Sequence, residues 1–134
     1  MDLYIINTNL KTDSRYETEM LEEQKCAAYR STKTEIEHLQ VGDRVLLYSN
    51  QKGIIAKGTA SGQLHKKEDN GELEAEYYMY LHEFREFLIP ISPSRLRHIL
   101  TLADNKEARP FNKTSLKFKN EVSTIIWDEI SKHP

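Results

Sequence analysis

Two short apolar runs dominate the hydrophobic pattern of this chain: Val45-Leu46-Leu47 and Ile54-Ile55-Ala56. Turn-forming residues bound each of them. Gly42-Asp43 precedes the first, Ser49 to Gly53 separates the two, and Gly58 follows the second. Unbroken apolar runs of this length predict strands covered on both faces, at about 44–49 and 53–61. Gly42 supplies the unusual backbone angles of the turn, and Gly58 suits a bulge or a close backbone approach. A third run, Leu3-Tyr4-Ile5-Ile6-Asn7, predicts an opening strand. Behind Ser14-x-x-Glu17, a capping-box pattern, Tyr16, Met20, Leu21, Gln24, Ala27 and Ala28 recur at roughly helical spacing, which predicts a helix over about 14–28. Thr32-x-x-Glu35 repeats the capping signal before Ile36 and Leu39. His65 to Gly71 is polar, ends in Asn-Gly, and predicts a loop. Glu74 to Leu88 predicts one long bent strand or two short ones, with Tyr78, Tyr80, His82 and Phe84 on one face and Tyr77, Met79 and Leu81 on the other. Ser92-Pro93 pairs a cap residue with a first-turn proline, and Leu96, Ile99 and Leu100 give the helix that follows an apolar side. Val122, Ile125, Ile126 and Ile130 do the same for a final helix. The sum is an α+β chain, a mixed barrel-like sheet flanked by helices.

With 134 residues, 30% of them charged and 38% hydrophobic, the expectation is one domain spanning 1–134 with an ordinary core. No apolar run approaches membrane-spanning length, so no membrane partner is expected. The start, Met1-Asp2-Leu3, lacks a basic region followed by an apolar signal segment. The single cysteine, Cys26, excludes an internal disulfide framework and fits a reducing cytoplasm. The net charge of −2 argues against tight nonspecific nucleic-acid binding, but its distribution changes that picture. Residues 90–134 carry 8 Lys/Arg against 5 Asp/Glu, among them Arg95, Arg97, Lys106, Arg109, Lys113, Lys117 and Lys119. A basic face of this size suits phosphate contacts or simply solvation.

Val41-Gly42-Asp43-Arg44-Val45-Leu46-Leu47-Tyr48, followed by Gly53-Ile54-Ile55-Ala56-Lys57-Gly58, resembles the sheet core of the PUA-like superfamily, most closely its EVE branch, which is related to the YTH readers. The opening strand running into Thr8-Asn9 resembles the start of EVE and YTH domains. Arg109-Pro110-Phe111 before an amphipathic helix resembles the end of EVE-like domains. The resemblance implies a PUA-like mixed β-barrel flanked by helices and a non-catalytic nucleic-acid-binding role, with a base, modified or not, flipped into a polar–aromatic pocket. The partner that the resemblance implies is RNA or DNA.

The pocket implied by the resemblance gathers three stretches: Asn7, Thr8 and Asn9; Tyr29, Arg30 and Ser31; Tyr48, Ser49 and Asn50. Tyr29 and Tyr48 are the expected stackers, Asn7, Asn9 and Ser31 the base-edge partners, and Arg95, Arg97, Lys113 and Lys117 the phosphate contacts. Tyr29 stands where relatives often carry tryptophan, a departure from a full aromatic cage. Tyr29, Tyr48, Tyr77, Tyr78, Tyr80 and Trp127 also read as packing residues. Two other readings stay open. The ASCH branch includes small amide hydrolases that use a lysine and a carboxylate, for which Lys57 and Glu76 are the only nominees. A protein-interaction module is the third. Cys26, inside the expected helix, has no nucleophile signature around it. His38, His65, His82, His98 and His133 are too scattered for a metal site. No cofactor, metal or catalytic residue is expected.

Overall fold

The computed structural model describes residues 1–104 and 114–134. Seven strands and three helices follow in the order β1 (Leu3–Asn7), α1 (Ser14–Glu23), β2 (Lys25–Tyr29), a 3-10 segment (Arg30–His38), β3 (Arg44–Ser49), β4 (Gly53–Ala60), β5 (His65–Asp69), β6 (Glu72–Ile91), α2 (Pro93–Asp104), β7 (Ser115–Phe118) and α3 (Asn120–Ser131). The sheet runs β2-β6-β4-β3-β1-β7, with β5 also paired to β6. It is strongly curled, a half-barrel flanked by helices. β1 lies inside it, parallel to β3 and antiparallel to β7. The 20-residue β6 joins the two halves. Its first part pairs with β2 and β5, and its second part with β4.

The unbroken apolar runs follow from burial on both faces. Tyr4, Ile6, Val45 and Leu47 pack into a core under α1 with Tyr16, Met20, Ile55 and Met79. Their alternate neighbours Leu3, Ile5, Leu46 and Tyr48 pack into a second core under α2 and α3, with Ile54, Ile91, Leu96, Ile99, Ile126 and Ile130. At the β4 entrance the sheet depends on Gly53. Its φ is +103, and a Cβ there would lie 1.8 Å from the Ile91 carbonyl oxygen, so only glycine allows that approach. No helix among the described residues is long and apolar enough to cross a membrane.

Three expectations need correcting. The first helix stops at Glu23, not at 28. Gln24 closes it in the left-handed conformation, φ 56, and Lys25–Tyr29 continues as a fully buried strand. Cys26 is therefore a strand residue. The cap of α1 is Asp13, whose side chain accepts from the Arg15 amide; Glu17 turns inward instead of completing a capping box. His65–Asp69, expected as a loop, is edge strand β5, held by cross-strand pairing to Glu72–Tyr78. The expected alternation in β6 holds in its first half, where Tyr77, Met79 and Leu81 are buried while Tyr80 and His82 are exposed.

Candidate nucleic-acid interface

The ends of β1 and β3 bring together most of the expected base-edge residues. Asn7 is the register partner of Tyr48, and the Thr8 amide donates to the Tyr48 carbonyl at 2.9 Å. Asn7 Nδ2 donates to Asn50 Oδ1 at 3.1 Å, and the Asn9 amide donates to Asn7 Oδ1 at 2.7 Å. Asn9 takes the left-handed conformation, φ 60, which asparagine tolerates. Thr8 is buried and donates to Glu17 Oε1 at 2.7 Å, while Lys52 reaches Glu17 Oε2 at 3.3 Å. Ser49 Oγ is buried without a hydrogen-bond partner. This corner thus presents three neighbouring amide side chains and one uncommitted hydroxyl.

The two expected stackers do not share a cleft. Strand alternation sends Tyr48 into the core under α2 and Tyr29 into the core under α1. Each is about as buried as the other, 6% and 7% exposed. Tyr29 stacks on Tyr16 with centroids 3.8 Å apart, which occupies one ring face. Its hydroxyl is buried and unpartnered, and burial raises it far above the ordinary tyrosine range, with the charges of Glu76 and Glu19 adding to the effect. Burial also raises the Tyr48 hydroxyl, and the positive charge of Arg97 acts against that rise. Arg30 is committed as well: Nη1 pairs with Asp69 Oδ2 at 2.8 Å and donates to the Tyr16 hydroxyl at 3.2 Å. Ser31 is exposed at the start of the 3-10 segment.

The phosphate candidates also separate. Arg95 and Arg97 are exposed on the first half of α2. The Arg95 amide donates to Ser92 Oγ, which confirms Ser92 as the cap. Lys117 already faces Asp2 at 3.4 Å, and its ammonium lies 5.6 Å from the Tyr4 ring centroid. Lys113 lies outside the described residues.

Sequence reasoning missed an aromatic surface. Tyr80 is 41% exposed. His65 stacks on Tyr78 at 5.2 Å and meets Tyr80 edge-on at 5.3 Å. The signal was the alternation in β6, which put Tyr78 and Tyr80 together; the loop expected at His65 hid the third ring.

Lys57 and Glu76 are not brought together. Lys57 Nζ bonds Ser131 Oγ at 2.9 Å and lies 4.3 Å from the Trp127 ring centroid. Glu76 pairs instead with Lys25, which is 0% exposed, at 2.9 Å, and Lys25 also reaches Glu19 at 2.7 Å. Burial alone would lower the Lys25 pKa. The hydrogen bonds it donates to Glu19 and Glu76 outweigh burial and raise the pKa, which keeps the ammonium protonated and useless as a base. Cys26 is fully buried, and burial pushes its thiol up to about 12, outside the reactive range. Among the described residues no three His, Cys, Asp or Glu side chains cluster as metal ligands.

Comparison with known proteins finds likeness only in structure. No protein-family profile and no curated protein sequence matches the chain. Protein PSPTO5229 from Pseudomonas syringae superposes with a TM-score of 0.60 at 9% identity, covering 97% of this chain and 97% of that one. The YTH domain of Mmi1 in complex with RNA superposes with a TM-score of 0.60 at 7% identity, covering 98% of this chain and 78% of that one. The YTH domain of the Zygosaccharomyces rouxii MRB1 protein, in complex with N6-methyladenosine RNA, gives a TM-score of 0.57 at 14% identity, covering 98% and 84%. The fold is PUA-like and is shared with YTH domains. At these identities the likeness fixes the fold, and the site has to be argued from this chain's own residues.

Proposed function

We propose that this chain is a non-catalytic RNA-binding module that reads a base at the corner formed by Asn7, Asn9, Tyr48 and Asn50. The observation that supports it is the fold shared with YTH domains solved in complex with RNA. The corner adds chemistry suited to the task. Amide side chains carry both donors and acceptors and match the edge of an unpaired base. Arg97, close enough to act on Tyr48, supplies positive charge beside it. Tyr29 is left out of the stacking role, because Tyr16 covers one of its faces and the core surrounds it.

The test is fluorescence anisotropy with single-stranded RNA, unmodified and N6-methylated, alongside DNA of the same sequence. Asn50→Asp keeps the acceptor that Asn7 uses, removes a donor from the corner and adds negative charge. It is expected to weaken RNA binding roughly tenfold with little change in melting temperature, the loss of about one charge-sensitive hydrogen bond. No binding to any single strand at low salt, or an unaffected Asn50→Asp variant, sinks this reading.

A further inference from the structure

A cavity of about 180 Å³ lies between the end of β6, α2 and the last turn of α3. Ile91 and Ile99, both almost fully buried, line it together with Arg95, Lys132, His133 and Glu129. Pro134 completes the lining, and Arg95 and Lys132 face the Glu129 carboxylate. Lys132 answers Glu129 at 3.0 Å, whereas Arg95 forms no ion pair among the described residues. His133 is fixed in place: its Nε2 lies 2.7 Å from the Ile89 carbonyl, and its ring meets Phe87 edge-on. The result is a small concave site holding a guanidinium fork that no side-chain carboxylate pairs among the described residues, the group best shaped to hold a tetrahedral oxyanion.

Its position relative to the amide corner follows from the sheet register. Asn7 pairs with Tyr48, Tyr48 with Ile54, and Ile54 with Ile91. One transverse row of the sheet thus runs from the corner to the cavity. Three strand-to-strand steps of about 4.8 Å put the two about 14 Å apart. α2 overlies this row, its Leu96 and Ile99 in one core with Tyr48, Ile54 and Ile91, and Arg95 lies in the cavity.

We propose that the cavity is a phosphate seat, taking one backbone phosphodiester of the strand whose base is read at the other end of the row. The assignment rests on the RNA-binding reading for its source of phosphate, but not for the cavity's chemistry, so the two are tested separately. Inorganic phosphate is titrated into the isotope-labelled chain and followed by NMR. Saturable shifts at Ile91, Arg95 and His133, lost in Arg95→Gln, are expected; no saturable shift overturns the anion site whatever RNA does. RNA affinity is then measured against salt concentration. Each lost phosphate contact makes the negative slope of log affinity against log salt shallower by about 0.7 for a single strand. The Arg95→Gln/Lys132→Gln variant should lose about one such contact, while Lys66→Gln, an exposed lysine on β5, loses none. A slope equal to that of Lys66→Gln overturns the backbone assignment and leaves a site for free or terminal phosphate.

Discussion

The two faces of the sheet handle charge in opposite ways. On the α1 face, the charged groups that pack inward are answered by opposite charge. Lys25 lies between Glu19 and Glu76, Lys67 reaches the same two carboxylates, Arg30 holds Asp69, and Lys52 holds Glu17. On the α2–α3 face, Lys132 answers Glu129 at the end of α3, but three other cations meet neutral partners. Arg44 donates to Ser123 and Thr124, Lys57 to Ser131, and Arg85 to the carbonyls of Ser131 and Pro134. None of these three forms an ion pair among the described residues. Lys57 and Arg85 are even direct cross-strand partners, an arrangement that costs stability on its own. The C-terminal end of α3 partly offsets this, because its carbonyls favour nearby cations. Charge on the first face is consumed by folding; charge on the second remains available to an external anion.

The largest expected effect tests the first half of that contrast. Lys25→Met removes a buried ammonium and leaves Glu76, which is nearly inaccessible to solvent, with only the longer 3.8 Å contact to Lys67. Removing one member of a buried pair costs about 3–5 kcal/mol. Urea denaturation should show that loss, and Lys25→Met/Glu76→Met should recover most of it, since neither charge then needs solvating. A small loss in the single variant, or no recovery in the double, means the face is not held by this pairing.

The same residue shows where the sequence stopped being readable. β1, β3 and β4 were legible because apolar runs between turn signals admit little else. α2 was legible from Ser92-Pro93 and its apolar side. β2 was not: Lys25, Ala27 and Ala28 are good helix formers and continue the spacing of α1. What breaks the helix is a left-handed Gln24 without any glycine, and what makes a strand of Lys25 is two carboxylates, one on α1 and one on β6. Neither partner is visible locally. β5 failed for the same reason, since its polar residues gain strand structure only from the register with β6. At the site, the polar corner was legible in outline, as Asn7 and Asn50 do meet. The aromatic half was not. Tyr29 and Tyr48 lie on strands whose alternation sends them to opposite cores, and Tyr16, which covers Tyr29, comes from α1. The phosphate candidates were read by charge alone, which cannot separate Lys117, already facing Asp2, from Arg95, which faces a cavity.

A smaller effect comes from the one hydroxyl that the α1 face leaves unanswered. Tyr29→Phe deletes a buried oxygen with no hydrogen-bond partner and keeps the stack on Tyr16. An unsatisfied buried polar group costs about 1–3 kcal/mol, so the variant should melt at a higher temperature than the parent. RNA affinity should stay as it was, because the ring is a core element. A drop in affinity with unchanged melting would return Tyr29 to the binding site and make its hydroxyl a ligand contact.

The smallest expected effect lies on the α2–α3 face and bears on the whole contrast. Lys57 is half-buried, and burial lowers its pKa, with Arg85 across the strand pair pushing the same way. Its charge is therefore poorly accommodated. Lys57→Gln keeps a donor for Ser131 Oγ and loses the contact with Trp127, worth about 0.5–1 kcal/mol at such sites. It also relieves the repulsion from Arg85, a term of similar size and opposite sign. The net change in unfolding free energy should fall within about 0.5 kcal/mol of zero, several times smaller than that of Lys25→Met. Urea denaturation of both variants under one buffer decides the matter. If Lys57→Gln costs as much as Lys25→Met, the cations of this face are as structural as those under α1, and the case for their serving an external phosphate loses its physical basis.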